Sequence, residues 1–196
     1  GWANDASEAL EIGRRLGDQV ILIGTSTGST LATWLALQST NKDLAGMILL
    51  SPNFYNADSN MGMLLWPWGQ QIAEILIGKV RHWESDNPLH EKYWANDYAT
   101  SSILPLIGLL KIVNDADIEN INTPTQMIYS SKDKTISVPA VIDTFARLGS
   151  KQKELVEFNA TEDPDFHALA GDLLSPSSTG VLAERILGFI NTQIHR

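Results

Sequence analysis

Residues 19–37 read QVILIGTSTGSTLATWLAL, and this stretch decides the fold. Gln19 to Gly24 is short, β-branched and continuously apolar, the pattern of a strand covered on both faces. Ser29 to Leu37 follows as a buried helix rich in Ala and Leu. Between them stands Gly24-Thr25-Ser26-Thr27-Gly28, a G-x-S-x-G pentapeptide at a strand-to-helix turn. A turn this tight strains the backbone of Ser26. Side chains two residues to either side are expected to collide with neighbouring backbone, which accounts for the glycines. The turn lifts Ser26 Oγ above a sheet at the start of a helix. There the helix dipole and the free N–H of Thr27 can stabilise negative charge on a bound oxygen, which makes Thr27 the expected oxyanion donor.

Working outward, Asp5 to Gly17 has apolar residues at helical spacing, with Asn4 or Asp5 to cap it and Gly17 to end it. Leu44–Leu50, Thr125–Ser130 and Glu154–Phe158 read as further strands. Pro139–Leu148 and Gly180–Thr192 read as helices. Strands alternating with helices imply an α/β fold, a parallel sheet flanked by helices. Residues 51–104 break the alternation. They hold Trp66, Trp68, Trp83 and Trp94 together with Met61 and Met63. They read as a mainly helical cap or lid insertion over a core formed by residues 1–50 and 105–196.

The chain of 196 residues is 43% hydrophobic and 19% charged, the composition of one globular domain with a real core. Its net charge is −9 with Lys and Arg scattered, so no nucleic-acid partner is expected. The absence of Cys excludes disulfides, thiolate nucleophiles and Cys-based zinc sites. No apolar run is long enough to span a bilayer. No metal-ligand spacing, phosphate-cradling loop or dinucleotide fingerprint is present, so no metal and no cofactor are expected.

A serine hydroxyl is a weak nucleophile until a base takes its proton. At a turn of this kind the chain order is Ser, then acid, then His. His82 and His90 fall in the insertion and His195 next to the C-terminus. His167, in a loop shortly after the last strand, is the candidate base. Asp133, after the strand Thr125–Ser130 and a short turn, is the candidate acid, ahead of Asp143, Asp163 and Asp165. Asp143 falls in an expected helix, and the other two lie too near His167 in the chain to approach it from the opposite side. Trp66, Trp68 and Trp94 are candidate substrate-binding residues, although aromatic clusters serve packing as often as binding.

Three phrases, VILIGTSTGSTLATWLAL, SSKDKTIS and FHALAGDLLSP, resemble the α/β-hydrolase superfamily. Within it they resemble the esterase and monoacylglycerol-lipase-like group, the serine aminopeptidase-like hydrolases. The likeness runs over nearly the whole chain from Trp2 onward. It implies that Ser26, Asp133 and His167 form a catalytic triad, and that the insertion is a cap shaping an acyl or alcohol pocket. The WANDY segment, Trp94–Tyr98, is similar to the aromatic stretch after that cap. Members of the group carry several strands and a helix before the serine strand, whereas one helix precedes it here. The resemblance therefore implies an N-terminally truncated fold with the serine strand at the sheet edge, open to a partner segment or a second copy. It also leaves Thr27 as the one oxyanion donor on offer.

The implied activity is hydrolysis of small-molecule carboxylic esters, short to medium acyl esters or monoglycerides, through an acyl-enzyme. Thioesterase, amidase and acyltransferase chemistry would use the same residues. Haloalkane dehalogenases and epoxide hydrolases use Asp where Ser26 stands and fit less well. The alternative is a non-catalytic or partner-dependent subunit.

Overall fold

The computed structural model describes residues 1–38, 44–57, 62, 64–85 and 87–194. Met61, Met63 and His195 lie outside them. The core begins with α1 (Trp2–Leu16), β1 (Val20–Thr25), α2 (Thr27–Gln38) and β2 (Leu44–Leu50). Next come α3 (Gly69–Ile77), β3 (Val80–His82), α4 (Pro88–Tyr93), β4 (Asp97–Ala99) and α5 (Ile103–Asn114). The chain ends with β5 (Thr125–Tyr129), α6 (Val138–Arg147), β6 (Lys153–Glu157), α7 (Thr179–Phe189) and a π-helical turn over Ile190–Ile194.

Strands β1, β2, β5 and β6 form one parallel sheet in that order. Thr25 pairs with Leu50, Leu50 with Ile128, and Ile128 with Val156. This register brings the carboxyl ends of the four strands to one edge, where open α/β sheets place their ligands. The central strands β2 and β5 are buried throughout their middle, with Met47, Ile48, Leu49, Met127 and Ile128 fully enclosed. Helices α2, α5 and α6 bury Leu35, Val113 and Val141 in the same cluster. At ~25 cal/mol per Å² of apolar area, burial of this kind is the main term holding the layers together.

Three sequence expectations are revised here. First, β1 lies at the sheet edge, as the resemblance implied, and is not covered on both faces: Ile23 is 61% exposed. A continuous apolar run does not distinguish a central strand from an edge one, because that depends on how many neighbours the sheet supplies. Second, α1 starts at Trp2 with Gly1 at its cap, ahead of Asn4 and Asp5. Its Gly17 end is as expected, the Gly17 N–H donating to Gly13 O at 3.1 Å. Third, the 51–104 stretch is not exclusively helical. It contains an antiparallel β3–β4 ribbon, with Arg81 opposite Tyr98, beside the short helices α3 and α4. Three-residue strands give too short a pattern for periodicity to register. The next helix, α5, starts at Ile103. No described helix is long and apolar enough to cross a membrane.

Candidate active site

The turn between β1 and α2 has the strained geometry expected of it: Ser26 has φ +53°. Three backbone hydrogen bonds fix it. Ser26 N–H donates to Leu50 O at 2.9 Å, and Ser26 O accepts from Ser29 N–H at 3.0 Å and Asn53 N–H at 3.3 Å. Inside the first turn of α2, the buried Ser29 Oγ donates to Gly24 O at 2.8 Å. The two glycines have different reasons to be there. A Cβ on Gly24 would sit 2.5 Å from the carbonyl carbon and oxygen of Gly28 and 2.6 Å from Ser29 N. A Cβ on Gly28 would meet nothing within 4 Å, which corrects the symmetric steric expectation. Thr27 is the first residue of α2, so its N–H has no acceptor within the helix.

Above this turn, His167 Nε2 lies 2.9 Å from Ser26 Oγ. On the other side of the ring, His167 Nδ1 lies 2.8 Å from Asp133 Oδ2. The Asp133 side chain is fully enclosed. Its second oxygen accepts from the N–H groups of Thr135 at 2.8 Å and Ile136 at 3.1 Å, so the carboxylate is both bonded and oriented. The 130–133 turn is braced from the end of β6. Ser130 Oγ and Ser131 N–H both donate to Asn159 Oδ1, and Ser131 Oγ donates to Glu157 Oε1. Hydrogen bonds from Ser131 and Asn159 hold the Glu157 carboxyl below its ordinary range. Burial, with the nearby Glu157 charge, pushes the Tyr129 phenol up.

The other sequence candidates go elsewhere. Asp143 is exposed on α6. Asp165 faces Lys134, Oδ1 to Nζ 3.6 Å. Asp163 is buried and accepts from the backbone N–H groups of His167 and Ala168. His82 bonds the exposed Asp97 across the β3–β4 ribbon at 2.9 Å. His90 is buried between Trp83 and Trp94, ring centroids 4.6 and 5.6 Å away. Trp66 lines a cleft of about 410 Å³ with Tyr55, Leu65, Ile107 and Leu110. Trp68 is 74% exposed at the start of α3. Among the described residues, no hydrogen bond or ring contact joins Trp66, Trp68 or Trp94 to the Ser26–His167–Asp133 cluster. The described residues contain no group of three or more His, Asp or Glu able to hold a metal ion.

Sequence reasoning missed two residues here. Ser51, fully buried with φ +41°, donates from Oγ to His167 O at 2.6 Å. The sequence offers Asp163 only as a rival acid. Its signal was local: an Asp followed by Pro, a few residues ahead of backbone N–H groups, commonly bonds them with its side chain. Ser51 had no such signal, because its partner lies 116 residues away.

A family model described as serine aminopeptidase, S33, matches residues 2–169. No curated protein matches the chain in sequence. Several solved structures share the fold. One is from a study of two metagenome-derived lipolytic enzymes, at 16% identity and TM-score 0.71, covering 97% of this chain and 72% of that one. A monoacylglycerol lipase of Paleococcus ferrophilus has 16% identity and TM-score 0.69, covering 96% and 76%. A soluble variant of the Saccharomyces cerevisiae monoglyceride lipase has 14% identity and TM-score 0.68, covering 98% and 68%.

Proposed function

The chain belongs to the serine aminopeptidase S33 family of α/β-hydrolases, and from that premise we propose that it is a lipase- or esterase-like serine hydrolase acting on carboxylic esters through an acyl-enzyme on Ser26. One observation carries the reading: an unbroken hydrogen-bonded line from Ser26 Oγ through His167 to Asp133, at 2.9 and 2.8 Å. In this reading His167 Nε2 takes the Ser26 proton as Oγ attacks the ester carbonyl. Asp133 holds the tautomer with Nδ1–H and stabilises the imidazolium. The Thr27 N–H, at the positive end of α2, stabilises the oxyanion. His167 returns the proton to the leaving alcohol. A water that His167 deprotonates then releases the acid.

We assign the mostly apolar cleft at Trp66, which none of Ser26, His167 and Asp133 lines, to an acyl or alcohol group of low polarity. On this reading residues 51–104 are the cap and residues 1–50 with 105–196 the core. Trp66, Trp68 and Trp94 are the cap residues to test for substrate contact. A partner segment or second copy pairing with β1 belongs to the same proposal. The outer edge of β1 has no strand partner among the described residues, and it leads directly into the Ser26 turn. A strand added there would stand beside the oxyanion position, where a second N–H donor is useful.

The test is hydrolysis of short and medium p-nitrophenyl esters, with the mass of the protein read after exposure to a serine-directed phosphonate. The parent is expected to hydrolyse the esters and to gain one adduct at Ser26. Ser26→Ala is expected to do neither. A well-folded parent that takes no adduct refutes the reading and favours a non-catalytic subunit.

A further inference from the structure

We propose that Asp163 is a positioning residue for His167: its buried side chain grips the main-chain N–H groups on either side of the His167 Cα. This rests on the reading of His167 as the base that activates Ser26. Asp163 is 5% exposed. Its Oδ2 accepts from His167 N–H at 2.9 Å and from Ala168 N–H at 2.6 Å, and its Oδ1 accepts from Asp165 N–H at 3.2 Å. Ser51 Oγ closes the grip on the other side by donating to His167 O at 2.6 Å. Both polar groups of the His167 main chain are therefore held by buried side chains.

The loop is also sewn to the turn that carries the acid. Lys134 N–H donates to Asp165 O at 3.0 Å, and Lys134 Nζ donates to Pro164 O at 2.7 Å. Phe166, just before the histidine, has φ +55°, a conformation that needs outside restraint in a non-glycine residue. The Asp163 side chain holds the residues on both sides of it, Asp165 and His167.

The experiment is steady-state kcat and KM for p-nitrophenyl butyrate in the parent, Asp163→Ala, Asp163→Asn and Asp172→Asn. Asp172 is exposed and five residues beyond His167, so it controls for a change elsewhere in the segment. In Asp163→Ala the His167 and Ala168 N–H groups lose their acceptor, and kcat is expected to fall about tenfold or more with KM changed less than about threefold, because the base loses its alignment. Asp163→Asn keeps one side-chain oxygen and is expected to recover part of that loss, and Asp172→Asn to match the parent. A folded Asp163→Ala with the parent's kcat overturns the proposal, as does an equal loss in Asp172→Asn. If Asp163→Ala does not fold, Asp163→Asn against Asp163→Ser makes the same comparison, acceptor kept against acceptor shortened. A parent that takes no phosphonate at Ser26 overturns the hydrolase reading itself, whereas a labelled parent with unmoved variants overturns only the role of Asp163.

Discussion

Substituting alanine separately at Gly24 and Gly28 tests how the Ser26 turn is built. At Gly24 the new Cβ meets three backbone atoms, Gly28 C and O at 2.5 Å and Ser29 N at 2.6 Å. Ordinary contact begins near 3.4 Å, so almost an ångström of overlap must be relieved. No flexible side-chain end is there to yield, so the first turn of α2 has to move away from β1. Overpacking of this kind costs about 1–3 kcal/mol. For a chain of this length that is roughly 2–12 °C of melting temperature, at about 2–4 °C per kcal/mol. The same movement displaces Ser26 Oγ from His167 Nε2, now 2.9 Å away. A misplacement of about 1 Å at a reacting centre costs on the order of 10²-fold in rate.

At Gly28 the new Cβ meets nothing within 4 Å, and the position lies in the first turn of α2. There Ala is expected to leave the melting temperature unchanged or raise it, since glycine in a helix is worse than alanine by roughly 0.5–1 kcal/mol. The assays are thermal melting and the rate of phosphonate addition to Ser26. Gly24→Ala is expected to lose on both, and Gly28→Ala to keep its melting temperature. Equal destabilisation of the two variants, or a Gly24→Ala protein that melts and labels as the parent does, would refute the steric argument.

Other outcomes follow from the same contacts. Asp133→Asn keeps an acceptor for Thr135 and Ile136 N–H but turns an amide toward His167 Nδ1, so ester hydrolysis should drop by about 10⁴-fold while the melting temperature changes little. Ser51→Ala frees the His167 carbonyl, and a steady-state assay should show kcat reduced by about tenfold or more with KM nearly unchanged. Asn159→Ala removes the brace under Ser130 and Ser131; the expected result is a loss of about 1 kcal/mol in denaturant melts together with lower activity. The Glu119 carboxyl is held below its ordinary value of 4.5 chiefly by its hydrogen bond from the Arg147 guanidinium. Its folded value is the lower one, so its contribution to stability is present above pH 4.5 and is lost as pH falls through that lower value. Parent and Glu119→Gln should therefore differ in melting temperature at neutral pH and converge in acid.

Much of the architecture is legible in one dimension because its signals are local. The apolar run at Val20–Ile23, the glycine-flanked Ser26 and the Ala/Leu run at Leu31–Leu37 each report on neighbours within a few residues, and together they specify a strand, a tight turn and a buried helix. The candidates Ser26, Asp133 and His167 were also readable: Ser26 and Asp133 stand just past apolar strands, His167 lies in the loop after the last strand, and parallel strands bring such ends to one edge. Tertiary structure alone decided what depends on residues far apart. It left Ile23 of β1 open to solvent, a matter of what packs on the strand and not of its apolarity. It folded Val80–His82 against Asp97–Ala99 in segments too short to carry a period. It reached across 116 residues to put Ser51 on the His167 carbonyl, and it turned Asp163 from a rival acid into the clamp on the His167 backbone. Hydrophobic periodicity specifies which face of a segment is buried; which polar group meets which is set by the packing of whole elements, and appears only once the chain has closed on itself.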